Sequence, residues 1–401
     1  MNILFLTIGR MESIGAHSIY ADLLRCFCNH GDTIYTISPY EKRTGKETEY
    51  VHENGAHLLH IKTGNVTGGA NIIEKGFSQM ALENIYIRAI KKYFSGVKFD
   101  LVMYSTPPIT FSKAVDFIRR RDGAKSYLLL KDIFPQNAID IGMMTNSGVK
   151  GMLYKHFRNQ EKKLYRFSDY IGCMSQANVD YVVKHNPEVD PKKVEVCPNS
   201  VEVLDMSVDK ATRLEIRKKY GIPLDKKVFV YGGNLGKPQG IPFLINCLQK
   251  QKRDDAYFLI VGEGSEYPKL EEFIDAEKPD NVKLMKRLPK EDYDSMVGAC
   301  DIGLIFLDHR FTIPNFPSRL LAYMQAKLPV LAVTDPNTDI GKVVVDGGFG
   351  WWCESDDTTR FLDCVNGICD SDLGMMKEKE FRYLEEHYSV EEAYRTIMRH
   401  L

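Results

Sequence analysis

The chain has 401 residues, of which 44% are hydrophobic and 27% are charged, and its formal net charge is −1. This length exceeds one ordinary core and predicts two domains, and the balanced charge argues against a nucleic-acid binder. No apolar run in the sequence reaches the length needed to span a bilayer. The nine cysteines contain no Cys-x-x-Cys pair, and they predict reduced thiols in a cytoplasmic protein.

The first half of the chain alternates short apolar runs with segments of helical spacing. Its opening, MNILFLTIGR, predicts a first strand over residues 3–7 rather than a signal peptide. A loop over residues 8–17 follows, in which Gly15 either makes a tight turn or lets a ligand approach the backbone. Further strands are predicted at residues 33–38, 57–61, 101–104, 126–130, 169–174 and 193–196, with helices over 18–29 and 77–94 and a charged surface loop over 41–50.

Lys131 and Asp132 directly follow the predicted strand 126–130. Open α/β sheets bind their ligands at the carboxyl ends of the strands, so both residues are candidates for a functional site. Asp132 is equally well explained as the N-cap of the next helix.

Residues 150–167 form the most basic segment of the chain. Apolar residues interleave with the basic ones at helical spacing, which predicts an amphipathic helix that lies either on an anionic membrane surface or in solvent. The basic residues are Lys150, Lys155, Arg158, Lys162, Lys163 and Arg166.

The second half repeats the alternation after a predicted domain boundary near residue 203. Strands are predicted at residues 227–231, 257–261, 281–285, 302–306 and 330–333, and helices at about 265–276, 289–298, 316–326, 358–370 and 389–400. This alternation predicts parallel sheets with right-handed crossovers. We therefore expect an α/β fold of two doubly wound, Rossmann-like domains facing a cleft, residues 1–202 and 203–387, with the C-terminal helix at about 388–401 packing back on the first domain.

Two segments of the second half suit a diphosphate. The loop at residues 232–240, GGNLGKPQG, exposes backbone N–H groups and carries the mobile cation Lys237. The stretch at residues 315–333, NFPSRLLAYMQAKLPVLAV, places Ser318 and Arg319 at a helix start, which suits an anion but also fits a capped helix with a solvated arginine. The sequence contains no Walker loop, nucleophile elbow or metal-ligand motif of clear spacing, so a hydrolase triad is not supported.

Five motifs lie in order along nearly the whole chain: the opening strand MNILFLT, KVEVCPNSV at residues 193–201, VGEG at 261–264, PSRLLAYMQAKLPVLAV at 317–333 and FGWWC at 349–353. Each resembles a motif of the GT-B glycosyltransferases of family 4, which are retaining nucleotide-sugar transferases. The segment KDIFPQ at residues 131–136 resembles an element of the N-acetyl-fucosaminyl-like transferases of capsule and O-antigen assembly.

This resemblance implies a hexosyl- or N-acetylaminosugar transferase that moves a sugar from a nucleotide diphosphate sugar, UDP-linked, to a glycan or lipid-linked oligosaccharide in surface polysaccharide synthesis. It implies no metal and no further cofactor, and a cytoplasmic protein, peripheral at the inner face of the plasma membrane. Asp132, His17 and Lys131 are the predicted catalytic residues. The predicted donor-binding residues are Gly15, Gly233, Asn234, Lys237, Gln239, Gly262, Gly264, Arg287, Pro317, Ser318, Arg319 and Leu320.

The chain departs from the family pattern at its acidic positions. The two glutamates usual in the family fall on Pro314 and Ala322, so recognition of the ribose must come from elsewhere. The usual arginine and lysine of the phosphate loop fall on Asn234 and Gln239, and we expect Lys237 and Arg319 to supply the charge. These departures keep open a non-catalytic subunit that binds a nucleotide sugar or a partner enzyme. A nucleotide-sugar epimerase is the third alternative, although it needs more acid and base groups than the sequence offers.

Overall fold

The computed structural model describes residues 1–9, 11–66 and 72–401. The chain divides into two compact units. Unit 1 comprises Met1–Glu202 together with Ser389–Leu401, and unit 2 comprises Val203–Tyr388.

Unit 1 is built on an eight-stranded sheet, and α-helices connect its parallel strands except in the segment from β2 to β4. Its strands are β1 (Asn2–Leu6), β2 (Thr33–Glu41), β3 (Glu49–Glu53), β4 (Ala56–Thr63), β5 (Leu101–Ser105), β6 (Lys125–Leu130), β7 (Tyr170–Cys173) and β8 (Val194–Val196). Its helices before the boundary are α1 (Ile19–Asn29), α2 (Ile72–Tyr93), α3 (Ser112–Asp122), α4 (Gln136–Asp140), α5 (Gly148–Phe167) and α6 (Gln176–His185). The strand order is β3-β4-β2-β1-β5-β6-β7-β8, and every neighbouring pair except β3–β4 is parallel.

The prediction of a surface loop over residues 41–50 is wrong at its end, because Glu49 and Tyr50 belong to β3. This strand pairs antiparallel with β4, and the two are joined by Asn54 and Gly55, which both have positive φ angles. An Asn-Gly pair favours the tight hairpin turn that these angles describe. Polar residues dominate β3 because it is an exposed edge strand.

Unit 2 is built on a six-stranded sheet in which every neighbouring pair is parallel. Its strands are β9 (Lys227–Asn234), β10 (Ala256–Glu263), β11 (Val282–Met285), β12 (Ile302–Phe306), β13 (Val330–Thr334) and β14 (Gly350–Glu354), in the order β11-β10-β9-β12-β13-β14. Its helices are α7 (Lys210–Tyr220), α8 (Ile241–Lys250), α9 (Tyr267–Glu277), α10 (Lys290–Gly298), α11 (Arg319–Gln325), α12 (Ile340–Asp346), α13 (Thr358–Cys369) and α14 (Gly374–His387). The predicted fold of two doubly wound α/β domains is confirmed.

The central strands of both sheets are predominantly apolar because helices cover both faces. Every residue of β5, β12 and β13 is buried, as expected for strands inside a parallel sheet. The continuous apolar runs in the sequence therefore mark these central strands.

The last helix, α15 (Val390–Met398), belongs to unit 1. Its Tyr394 ring lies 4.8 Å from the Phe27 ring and stacks on His30 at 4.0 Å, both on or beside α1. The backbone N–H of Val390 donates to the carbonyl oxygen of Val201 at 3.0 Å. These contacts bury the apolar face of α15 in the core that α1 also lines.

The predicted basic helix is present as α5. Arg158 pairs with Glu161, and Lys162 pairs with Glu188, so part of its charge is neutralised. Lys155 and Lys163 are exposed, whereas the side chain of Lys150 lies outside the described residues. None of the described helices combines the length and apolarity of a membrane span.

Candidate functional site

The carboxyl ends of β9, β10 and β11, together with α10 and α11, surround a cleft of about 630 Å³ in unit 2. We call it the glycine cleft. Open parallel sheets bind ligands at this edge. The lining residues are Gly232, Gly233, Asn234, Val261, Gly262, Glu263, Arg287, Leu288, Lys290, Tyr293, Asp294, Arg319 and Ala322.

Glycine is required on the floor of the cleft because the backbone has no room for side chains. Gly262 pairs with Gly233 across β10 and β9, and a Cβ atom at Gly262 would lie 2.0 Å from the carbonyl oxygen of Gly233. Gly233 has a φ of +116°, a conformation that L side chains rarely adopt. The two glycines therefore leave bare backbone facing the cleft, where a ligand can approach it closely.

Arg319, the first residue of α11, brings an uncompensated positive charge to this floor. Its guanidinium lies 4.3 Å from the centre of the Tyr231 ring. Its Nη1 atom is buried and has no hydrogen-bond partner among the described residues, and none of the ion pairs in that part of the chain includes Arg319. A Cβ atom placed on Gly233 would lie 3.8 Å from Nη2 of Arg319. A single anion can therefore reach both the guanidinium and the backbone beside Gly233.

Two tyrosines hold the helices that carry the cleft residues. The Tyr293 ring of α10 fills the space over Gly232, where a Cβ atom would lie 1.6 Å from the phenolic oxygen. The Tyr323 hydroxyl of α11 lies 3.2 Å from the carbonyl oxygen of Val230 and 3.1 Å from that of Leu304. Burial raises the pKa of Tyr323 to about 12, so its phenol remains a neutral donor. Both helices are thereby anchored to the sheet next to the glycines.

The rest of the lining includes two ion pairs and one methyl group. Arg287 donates to Glu263 at 2.9 Å, and both side chains are mostly exposed. Lys290 pairs with Asp294 one turn along α10, and the Asp294 side chain is only 13% exposed. Ala322 presents a methyl group from α11. Each of the two carboxylates in the lining is therefore paired with a cation, whereas Arg319 has no carboxylate partner among the described residues.

Five of the predicted donor-binding residues line the glycine cleft: Gly233, Asn234, Gly262, Arg287 and Arg319. The other seven lie outside its lining, namely Gly15, Lys237, Gln239, Gly264, Pro317, Ser318 and Leu320.

Four of these seven residues lie at other positions that the structure describes. Gln239 accepts from the Asn234 amide and the Gly236 N–H, so it shapes the loop after β9. Leu320 is fully buried in the core, and Gly15 belongs to unit 1. Lys237 is exposed at the start of a short 3-10 turn.

Sequence reasoning did not identify Leu288, Lys290, Tyr293 and Asp294 as site residues. The helix over 289–298 was predicted correctly, but no motif indicated which of its faces meets the ligand. The packing of Tyr293 on Gly232 determines which face of α10 lines the cleft. In the sequence, only the glycine at the end of the strand indicates this contact.

In unit 1, Lys131 and Asp132 follow β6, as predicted, and both side chains have partners. The Lys131 ammonium donates to the carbonyl oxygen of Cys197 at 2.9 Å, and burial lowers its pKa to about 8. Asp132 accepts from the Asn137 amide at 2.7 Å, and burial raises its pKa to about 6, against the lowering effect of that hydrogen bond. Both groups therefore titrate closer to neutral pH than usual, which is common at functional sites.

His17 lies in a charged cluster before α1. Its Nδ1 atom is 3.6 Å from Asp22 and 3.8 Å from Glu202, and Arg25 donates to both carboxylates at 2.7 Å. The part of the chain that the structure describes shows no hydrogen bond between His17 and Asp132. The predicted catalytic roles of these two residues stay predictions.

Two groups of described residues have metal-ligand atoms within 4.8 Å of one another, one being His17, Asp22 and Glu202 and the other Cys26, His30 and Glu391. In the first, Arg25 donates to both carboxylates and supplies one positive charge against their two negative charges. In the second, Glu391 accepts from the Cys26 thiol at 3.3 Å and lies 3.0 Å from His30 Nε2. Burial, together with Glu391, raises the pKa of Cys26 to about 12, so the sulfur is a thiol rather than a thiolate. The expectation that no metal is needed remains a prediction.

Comparison with known proteins points to one enzyme class. Residues 212–382 match the family described as Glycosyl transferases group 1. The chain is similar to the probable glycosyltransferase WbjE of Pseudomonas aeruginosa, with 23% identity over 321 residues that cover 79% of this chain and 78% of the relative. It is also similar to the putative colanic acid biosynthesis glycosyl transferase WcaI of Escherichia coli (strain K12), with 21% identity over 255 residues that cover 61% of this chain and 60% of the relative.

Solved structures share the fold over the whole chain. Sucrose-phosphate synthase from Thermosynechococcus elongatus superimposes with a TM-score of 0.77 at 12% identity, covering 100% of both chains. HepE of Anabaena, solved in complex with UDP, has a TM-score of 0.69 at 14% identity, covering 100% of this chain and 99% of that one. At these identities the likeness concerns the fold alone, which is the expected GT-B architecture. With a glycosyl transferases group 1 domain over residues 212–382, and with relatives named for the same activity, this chain is a glycosyltransferase.

Proposed function

We propose that the chain transfers a sugar from a nucleoside diphosphate sugar, with UDP as the nucleotide, and that the glycine cleft holds this donor. Arg319 is the observation that carries the proposal. A buried guanidinium nitrogen without a partner costs free energy in the empty protein. An anionic ligand offsets that cost, and a diphosphate also suits the bare backbone beside Gly233.

In this reaction the diphosphate is the leaving group, and negative charge grows on it as the bond to the sugar breaks. Arg319 and the backbone at Gly233 would stabilise that charge where it develops, without rearranging during the reaction. Tyr293 and Tyr323 would keep both helices in place. Retention of the anomeric configuration and the absence of a protein nucleophile are supported by the family resemblance.

A thermal unfolding experiment with UDP, GDP, ADP and CMP tests the proposal. A ligand that binds only the folded state increases the free energy of unfolding, by about 2.7 kcal/mol at a concentration 100 times its Kd, and therefore raises the melting temperature. We expect the largest shift with UDP, and a much smaller shift with UDP in the Arg319→Met variant. The absence of a shift with every nucleotide would contradict the proposal and favour a non-catalytic subunit.

We further propose a lipid-linked oligosaccharide as the acceptor and an anionic membrane surface as the place where the cytoplasmic protein meets it. Around the start of α5, Met143, Met152 and Leu153 are 65%, 71% and 45% exposed. Lys155 and Lys163 are exposed on the same helix. Exposed apolar side chains beside lysines suit the boundary between headgroups and acyl chains.

Sedimentation with vesicles tests the membrane proposal. The double variant Lys155→Glu/Lys163→Glu should lose most binding to vesicles that contain anionic lipid, because each lysine near such a surface contributes about 1 kcal/mol. The matched control Lys218→Glu/Lys252→Glu makes the same change of charge at exposed positions in unit 2 and should bind like the unmodified protein. Equal binding by both variants would exclude α5 as the contact.

A further inference from the structure

We propose that Asp294 is the residue of the glycine cleft that recognises the ribose of a nucleoside diphosphate, accepting hydrogen bonds from its 2′ and 3′ hydroxyl groups. This inference rests on the proposed function, because it takes the diphosphate to lie at Arg319. The group next to the diphosphate is then a ribose, and Asp294 is the side chain that selects it.

A pair of neighbouring hydroxyl groups needs acceptors, and a carboxylate is the strongest acceptor that a side chain offers. The lining contains two carboxylates, those of Glu263 and Asp294. The facing helix α11 contributes Arg319, which can only donate hydrogen bonds, and the methyl group of Ala322. A carboxylate acceptor for the sugar hydroxyls therefore comes from the end of β10 or from α10.

The two carboxylates differ in their exposure to solvent. The Glu263 side chain is 64% exposed and bound to Arg287, itself 74% exposed, so water competes for it. The Asp294 side chain is 13% exposed. Its Oδ2 atom accepts from Lys290, whereas Oδ1 has no hydrogen-bond partner in the described part of the chain. Asp294 thus offers a free, poorly solvated acceptor to the cleft.

Asp294 is also held in position. Its neighbour Tyr293 fills the space over Gly232, which fixes α10 against the strand next to the diphosphate position. Lys290 fixes the carboxylate itself through the ion pair one turn before it. A group that is positioned before the ligand arrives loses little entropy on binding, so its hydrogen bonds contribute more to affinity and selectivity.

The test compares three ligands by calorimetry: UDP, 2′,3′-dideoxy-UDP and inorganic pyrophosphate. The unmodified protein should bind UDP about 10- to 100-fold more tightly than the dideoxy compound, because hydrogen bonds to a charged acceptor are lost. Asp294→Asn keeps the shape and the contact with Lys290 but removes the charge. This variant should bind UDP about as weakly as the unmodified protein binds the dideoxy compound. Its affinities for the dideoxy compound and for pyrophosphate should equal those of the unmodified protein.

The control is Asp292→Asn, which makes the same change on α10 at a residue that pairs with Lys219 outside the cleft. It should bind all three ligands like the unmodified protein. If Asp294→Asn still distinguishes UDP from the dideoxy compound, or if Glu263→Gln abolishes that distinction instead, the assignment to Asp294 is overturned while the proposed function stands. If the unmodified protein binds neither UDP nor pyrophosphate, the proposed function fails and this inference fails with it.

Discussion

Replacing Arg319 with methionine should have opposite effects on ligand binding and on stability. Methionine keeps most of the length of the side chain and removes its charge. Arg319 lies against Tyr231 with Nη1 unpartnered, so the substitution breaks no ion pair within the described residues. The expected changes therefore follow from the loss of the charge itself.

The size of the loss in affinity follows from the hydrogen bonds that the guanidinium would donate. Each bond to a charged group contributes about 1.5–3 kcal/mol, so two bonds to a diphosphate contribute at least about 3 kcal/mol. Arg319→Met should therefore weaken UDP binding about 100-fold. Calorimetric titration with UDP measures this value directly.

The stability of the ligand-free protein should not fall in this variant. Replacing buried charges with apolar groups is neutral or stabilising by about 1–4 kcal/mol, and the lost contact with the Tyr231 ring costs about 0.5–2 kcal/mol. We expect the free energy of unfolding in urea to stay the same or to rise by about 2 kcal/mol.

Arg310→Met is the control for both measurements, because Arg310 pairs with Asp308 in the same unit and does not line the cleft. It should leave UDP affinity unchanged. Unchanged UDP affinity in Arg319→Met, combined with a loss of stability above about 1 kcal/mol, would show that Arg319 serves the fold and would refute the reasoning.

Three further substitutions test the structure around the site. Gly262→Ala places a Cβ atom 2.0 Å from the carbonyl oxygen of Gly233, so it should lower both the melting temperature and UDP affinity; a variant that binds UDP normally would contradict the close approach of the two strands. Arg217→Met removes a buried guanidinium that pairs with Asp301 and donates to the carbonyl oxygens of Ala299, Pro223 and Lys226. Although Arg213 still pairs with Asp301, the substitution should cost about 3–5 kcal/mol in urea unfolding because several buried acceptors lose their donor, whereas a loss below about 1 kcal/mol would show that this ion pair behaves like an exposed one. Glu380 is fully buried with both carboxylate oxygens unpartnered, and burial raises its pKa well above the usual value. Its folded form therefore binds a proton more tightly than its unfolded form, and stability is lost as pH rises through the folded pKa. Glu380→Gln should thus gain stability over the unmodified protein as pH rises from about 5 to about 9, and a constant difference across that range would contradict the assignment.

The fold was largely predictable because its central strands are continuous apolar runs. Helix α7 was missed, although Asp209 caps its first turn and Gly221 ends it in a left-handed conformation; its surface is so polar that no apolar periodicity revealed it. The short strand β3 was missed for the same reason, although the Asn54-Gly55 pair indicated its hairpin.

The site was predictable only where a motif fixes the backbone. Gly233 and Gly262 lie on paired strand ends, and Arg319 starts a helix after a recognisable motif, so their positions followed from the sequence. Asp294 and Tyr293 lie on a helix whose orientation depends on packing against Gly232, and a single sequence does not show that contact. The donor-binding role of Lys237 stays a prediction, because charge and proximity in sequence do not determine where a side chain points.

A structure of the protein determined with bound UDP tests the central claim most directly. We expect diphosphate oxygens in contact with the Arg319 guanidinium beside Gly233, and the ribose hydroxyls at Asp294. UDP bound outside the glycine cleft, or bound within it with Arg319 still lacking an anion, would contradict the assignment of this cleft as the donor site.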